Sequence, residues 1–216
     1  ARVPVAHLCG GDVTEGAMDD SLRHSITKMS SLHFVTNAEA AARLVQLGEA
    51  PDHVFNVGSP GLDRIRDVDL LDRETLFAQL GLAPRQRNLL VTFHPVTWAT
   101  QSDRQCRSML DALSGFDDIG LIFTGSNADP GARAIDRMVE AFAVSHPHAV
   151  FHRSLGSRCY FSALAAVDAV VGNSSSGLYE APSFAVPTVN IGDRQARRPR
   201  AASVIDCAPA TDAIAG

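Results

Sequence analysis

Short apolar runs alternate with amphipathic segments along the whole chain. Val3 to Cys9 reads as a buried strand. Over Asp19 to Ser31, Leu22, Ile26 and Met29 recur at i, i+4 and i+7, which predicts a helix with that stripe buried. His33 to Thr36 is strand-like. Asn37 then caps a helix over residues 38–47 that Gly48 ends. Val54 to Gly58 is a third strand. From Ser59 to Pro84 the pattern changes: a turn at SPG leads into charged sequence and a helix, DRETLFAQLG, closed by Gly81.

The alternation then restarts. Strands are predicted over residues 88–93, 119–124, 150–152, 169–172, 186–191 and 204–206. Helices are predicted over 103–113, 132–144 and 158–167. A short helical run follows the strand at 169–172 and holds Glu180, and TDAIAG looks like a helix just starting, capped by Thr211 or Asp212. Repeated βα units imply parallel sheets with helices on both faces. The break near residue 66 divides the chain into domains at 1–66 and 67–216. Ligands in this architecture sit at the carboxyl ends of strands. HPVT, TGSNAD, GNSSSG and IGDRQ all fall at such ends and should converge on one edge.

Composition narrows the class. Hydrophobic residues make up 45% and charged residues 20% of 216, as in a soluble globular protein. A net charge of -5 and a pI of about 5.9 give no electrostatic footprint for nucleic acid or a membrane surface. No apolar run approaches a membrane span, and no signal peptide opens the chain. Cys9, Cys106, Cys159 and Cys207 form no CxxC pair, which argues for a reducing compartment and against a disulfide framework or zinc site. All four read as small buried hydrophobes. His146, His148 and His152 match no ligand spacing and read as surface residues.

Three constellations carry chemistry. In HLCGGDVTEGAMDDSLRHSITKMSSLHF, a Gly-Gly turn follows the strand and acidic residues collect at Asp12, Glu15, Asp19 and Asp20. Asp19 and Arg23 stand four apart on one helix face, where a carboxylate beside an arginine can act as a base. Helix capping explains one of the two adjacent aspartates; the double glycine allows close backbone approach to a ligand. His94, in FHPVT, lies at a strand end, suited to a phosphate or a base edge, although a lone histidine there also serves structure. In GNSSSGLYE, Ser174, Ser175 and Ser176 precede a helix and Glu180 follows within reach of a sugar; alone, the loop fits either an anion site or a capped turn. Arg194 in GDRQ sits across the sheet edge from the serines and could complete a diphosphate clamp, whereas Arg197, Arg198 and Arg200 read as a solvated loop.

Together, HLCGGDVTEGAMDDSLRHSITKMSSLHF, HPVT and GNSSSGLYEAPSFAVPTVNIGDRQ resemble the hydrolysing UDP-N-acetylglucosamine 2-epimerases of sialic and legionaminic acid synthesis, over nearly the whole chain and in order. The resemblance implies a GT-B-like α/β fold of two Rossmann-like domains, the nucleotide sugar in the cleft between them. Because family members are longer, it also implies a chain truncated at both ends with the first domain incomplete. It implies elimination of UDP to a glycal, followed by hydration to the free 2-epimeric sugar. It assigns Asp19 as a catalytic aspartate, His94 as a histidine on UDP, Ser174 and Ser175 as diphosphate ligands with Ser176 beside them, Glu180 to the ribose, and Arg194 to the site. Some relatives carry a catalytic glutamate where this chain has Cys9; Asp12 or Glu15 can take that place. The substrate implied is UDP-N-acetylglucosamine or UDP-2,4-diacetamido-bacillosamine, with no cofactor or metal, in a cytoplasmic homo-oligomer. Two alternatives share the nucleotide half: a GT-B glycosyltransferase, and a non-catalytic UDP-binding fragment.

Overall fold

A computed structural model of the chain describes residues 3–14, 18–96 and 101–216. Two compact units are present, Ala1–Asp67 with Ala196–Arg198, and Val68–Gln195 with Pro199–Gly216.

The first unit contains β1 (Ala6–Leu8), α1 (Met18–Lys28), β2 (Leu32–Val35), α2 (Ala38–Gln46), β3 (Val54–Asn56) and α3 (Pro60–Asp67), with parallel strands in the order β1-β2-β3. Helix α2 begins as its sequence dictates: the Asn37 side chain accepts from the Ala40 N–H at 2.8 Å. Its apolar face packs Ala40 and Leu44 against Val35 and Val54, the small core of this unit.

Several expectations are corrected here. Val3 to Cys9 is not a buried strand: β1 is three residues long at the sheet edge, and only His7 of the three is buried. The α1 stripe is not buried either. Leu22, Ile26 and Met29 are 55%, 42% and 70% exposed, and the inward residue is Thr27, whose hydroxyl meets His7 Nδ1 at 3.1 Å. The SPG turn is the start of α3, with Pro60 at the first helical position, where its missing N–H costs nothing. The double glycine also permits close packing within the unit. A Cβ on Gly11, at φ +80°, would lie 2.5 Å from the Ala40 carbonyl, and one on Gly10 would lie 2.9 Å from His7 Nδ1. Cys106 is buried, whereas Cys9, Cys159 and Cys207 are only half-buried; all four are free thiols.

The second unit contains α4 (Arg73–Leu80), β4 (Arg87–Thr92), α5 (Ser102–Leu113), β5 (Ile119–Thr124), α6 (Ala132–Ser145), β6 (Ala149–His152), α7 (Gly156–Ala166), β7 (Ala169–Gly172), α8 (Ser176–Tyr179), β8 (Thr188–Ile191), β9 (Val204–Cys207) and α9 (Thr211–Ala215). All six strands are parallel, in the order β6-β5-β4-β7-β8-β9. Side chains alternate across this sheet. Val91, Phe93, Leu121 and Phe123 pack with Cys106, Met109 and Ile135 of α5 and α6, while Leu90, Ile122 and Val170 are buried on the other side. Coverage of both faces explains why these strands read as unbroken apolar runs. Each fully buried leucine or phenylalanine contributes about 2 kcal/mol.

Local details differ from expectation at three places. His148 is buried rather than on the surface, and His146 is half-buried and stacked on Phe142 at 3.8 Å. Thr211 does not cap α9; its hydroxyl donates to the Ser108 carbonyl. Glu180 lies not within a continuous helix but at the junction of α8 and a 3₁₀ turn, Ala181–Phe184, which Pro182 favours over α-helix.

Candidate functional site

Counting from β4 in chain order, the second sheet runs 3-2-1-4-5-6 across space, and the order reverses between β4 and β7. A crevice opens at such a reversal, outside the strand carboxyl ends. His94 lies just beyond β4 and Asn173–Ser176 just beyond β7, so both sit at that point.

Asn173 joins the two strand ends. Its Oδ1 accepts from the His94 N–H at 2.7 Å, its Nδ2 donates to the His94 carbonyl at 2.8 Å, and its own carbonyl accepts from Gln195 Nε2 at 2.8 Å. Asn173 and Gln195 are both buried. Arg194, 6% exposed, sends Nη1 to the same Asn173 carbonyl at 3.4 Å and Nη2 to within 3.7 Å of Asp129 Oδ2.

His94 is 5% exposed. Its Nδ1 accepts from the Asn127 N–H at 3.0 Å, which places the proton of the neutral ring on Nε2. Burial, with the Arg194 charge adding to it, pushes the imidazole pKa down to about 3. At neutral pH His94 is therefore an uncharged N–H donor.

His94 faces a cleft of about 470 Å³ whose wall also includes Asn127, Tyr160, Ser174, Ser176 and Glu180. The Tyr160 hydroxyl donates to Ser176 Oγ at 2.6 Å. On the far side Arg153 pairs with the buried Asp136 at 3.2 Å, and Asp136 also accepts from the Ser126 N–H. Hydroxyls, a neutral N–H and a carboxylate are thus presented to one space, a set suited to phosphate oxygens at one end and sugar hydroxyls at the other. Since α8 has only four residues, its dipole adds little, and the side chains supply most of the polarity.

The structure brings together His94, Ser174, Ser176 and Glu180. Ser175 and Arg194 are not among the lining residues; Ser175 precedes α8 without a side-chain cap, and Arg194 supports the Asn173 loop. Asn127, Tyr160 and Gln195 were not singled out from sequence. Asn127 was within reach of that reading, because it belongs to TGSNAD at the end of β5; the β6 end, with Ser154, Gly156 and Ser157, carried the same signal and leads to Tyr160. Gln195 carries no local signal.

Asp12 and Asp19 belong to the first unit, where Arg23 ties the acidic segment together. Arg23 Nη2 pairs with Asp19 Oδ2, and Nη1 donates to the Asp12 carbonyl at 3.0 Å. Asp20 Oδ1 accepts from the Thr14 N–H at 3.0 Å, and Asp12 Oδ1 from the Thr36 hydroxyl at 2.6 Å. Arg198 donates to the Thr14 hydroxyl at 2.7 Å, so it is anchored rather than part of a solvated loop. Glu15, the other candidate for the position held by Cys9, and Thr97 of HPVT lie outside the described residues. Among the described residues, no group of three His, Cys, Asp or Glu side chains is arranged to hold a metal ion, and no helix is long and apolar enough to cross a membrane.

The sequence matches a family model described as UDP-N-acetylglucosamine 2-epimerase over residues 1–216. It is 39% identical over 207 residues to a Campylobacter jejuni GDP/UDP-N,N'-diacetylbacillosamine 2-epimerase (hydrolyzing), covering 95% of this chain and 54% of that protein. It is 41% identical over 215 residues to the Escherichia coli polysialic acid biosynthesis protein P7, covering 99% of this chain and 54% of that one. The fold is shared with the Methanocaldococcus jannaschii UDP-GlcNAc 2-epimerase solved with UDP-GlcNAc and UDP, at a TM-score of 0.78, 14% identity, 99% of this chain and 61% of that one. The chain spans about half the length of the curated relatives it matches.

Proposed function

The chain belongs to the UDP-N-acetylglucosamine 2-epimerase family, and from that premise we propose that it serves a hydrolysing 2-epimerase, which releases UDP and a free 2-epimeric sugar from a UDP-linked 2-acetamido sugar. One observation carries this reading: His94, Ser174, Ser176 and Glu180 line a single cleft at the reversal of the second sheet. In that cleft the Nε2–H of His94 and the serine hydroxyls hold the diphosphate, Glu180 accepts from the ribose hydroxyls, and Ser175 and Arg194 complete the anion site from behind.

The reaction begins with loss of the C2 proton to a carboxylate. The C1–O bond breaks, its electron pair leaves with UDP, and a glycal remains. Water then adds, hydroxyl to C1 and proton to C2 from the opposite face. Asp19 is the base, held against Arg23, and Asp12 is the second acid–base group. His94 contributes to departure of UDP as a neutral donor toward developing negative charge, not by giving up a proton.

UDP-2,4-diacetamido-bacillosamine is the favoured substrate, because the Campylobacter relative is named for the GDP- or UDP-linked form of N,N'-diacetylbacillosamine; UDP-N-acetylglucosamine is the alternative. The product enters legionaminic or sialic acid synthesis. The four free thiols support a cytoplasmic location, and the family reading carries a homo-oligomer with it. Incubation with each UDP-sugar, followed by chromatography of nucleotide and sugar, tests the proposal. Equimolar UDP and free 2-epimeric sugar are expected; a 2-epimerised UDP-sugar, or transfer to an acceptor, would overturn it.

A further inference from the structure

We propose that Tyr160 is a positioning residue that turns the Ser176 hydroxyl into a dedicated donor for the anionic end of the nucleotide, an inference that rests on the nucleotide reading of this cleft. Tyr160 lies on α7 and Ser176 opens α8, and the phenol donates to Ser176 Oγ at 2.6 Å. A serine hydroxyl has one proton and two lone pairs. Once a lone pair accepts from Tyr160, the serine proton is left to be given elsewhere, and the incoming bond strengthens it as a donor.

The phenol is the donor of this pair, and Glu180 lies close enough for its charge to act on it. Burial and the Glu180 charge push the phenol up to about 12, so it keeps its proton across the physiological range. The ring is fixed as well: it meets Phe161 edge-on at 6.3 Å, and Phe161 stacks on Phe184 at 6.1 Å. Neither Tyr160→Phe nor Ser176→Ala removes these ring contacts, so the two variants isolate the relay.

Calorimetric titration of this chain with UDP, together with displacement of UDP by uridine, tests the proposal. Tyr160→Phe should weaken UDP by about fivefold, as should Ser176→Ala, while leaving uridine within about twofold of wild type. The double variant should bind UDP within about twofold of either single variant, because both break the same relay. Thermal unfolding of Tyr160→Phe should coincide with that of the wild type. The proposal is overturned by additive losses in the double variant, by equal losses for UDP and uridine, or by wild-type UDP affinity in either single variant. If the wild-type chain binds no UDP, the nucleotide reading itself fails, an outcome distinct from each of these.

Discussion

His94 and Asn173 exchange two hydrogen bonds across the middle of the second sheet, one in each direction, at 2.7 and 2.8 Å. Both residues are buried, so each bond satisfies a backbone group of His94 that water does not reach. Asn173→Ala strands that N–H and that carbonyl together. The expected loss of stability is about 3 kcal/mol, at about 1–3 kcal/mol for each orphaned group less any relaxation. Urea unfolding of the variant checks the number. A loss below about 0.5 kcal/mol, the range of an ordinary surface substitution, would mean that the pair does not hold the two strand ends together.

Protonation of His94 gives a second test. The pKa of its folded state is near 3 and its unfolded reference is 6.5. Between these values the unfolded chain holds the extra proton, so stability rises with pH across the window. The contribution is complete above about pH 6.5 and is lost as pH falls toward 3, by up to about 1.4 kcal/mol per pH unit. Between pH 7 and 5, wild type should therefore lose about 2 kcal/mol more than His94→Gln, whose side-chain amide can still accept from Asn127 and donate into the cleft. Burial also lowers His7 and His148, but both remain in the variant and cancel in the comparison. Equal pH slopes for the two proteins would contradict the assignment of His94 as the neutral donor.

The strands of the second unit were legible because helices cover both faces of their sheet, so β5 and β7 read as apolar runs ending at glycine or threonine. Strand ends in a parallel sheet share one edge, which makes the His94 and Ser174 positions legible as a pair from the sequence. Periodicity is weaker evidence about partners: it located α1 correctly, yet Leu22, Ile26 and Met29 face outward, since an amphipathic pattern does not say what packs against it. Helix α3 was hidden by SPG, where a proline that favours a turn is equally at home in a helix's first turn. Tyr160 was hidden for a related reason. Beside the buried Phe161 it reads as one more core aromatic, and only the fold shows its hydroxyl reaching Ser176.

Asp19→Asn separates chemistry from nucleotide binding. Asp19 lies in the first unit and the lining of the cleft beside His94 in the second, and the amide keeps the size of the carboxylate. The expected result is UDP affinity within about twofold of wild type, with release of UDP from the sugar nucleotide slowed by about 100- to 10,000-fold, the usual contribution of a positioned base. Rapid-quench chromatography for the rate and calorimetry for the affinity give the two readings. Undiminished turnover would remove Asp19 from the mechanism and shift the proton chemistry to Asp12.

Gly172→Ala addresses the backbone at the sheet reversal. Gly172 ends β7 at φ +135°, a conformation that side chains rarely adopt. A Cβ there would be driven into the Thr92 carbonyl, and Thr92 belongs to β4, the strand that pairs with β7 at this very register. Neither neighbour can yield without breaking the parallel ladder, because Thr92 O also accepts from the Asn173 N–H at 3.1 Å. The variant combines backbone strain of about 1–3 kcal/mol with a clash between two central strands, so a loss above about 3 kcal/mol is expected. The damage should also reach the site, because Asn173 follows directly and carries the bonds to His94. Gly172→Ala should therefore lose UDP binding at temperatures where circular dichroism still reports a folded chain. Wild-type affinity with a lowered melting temperature would show that the strain is absorbed without moving Asn173.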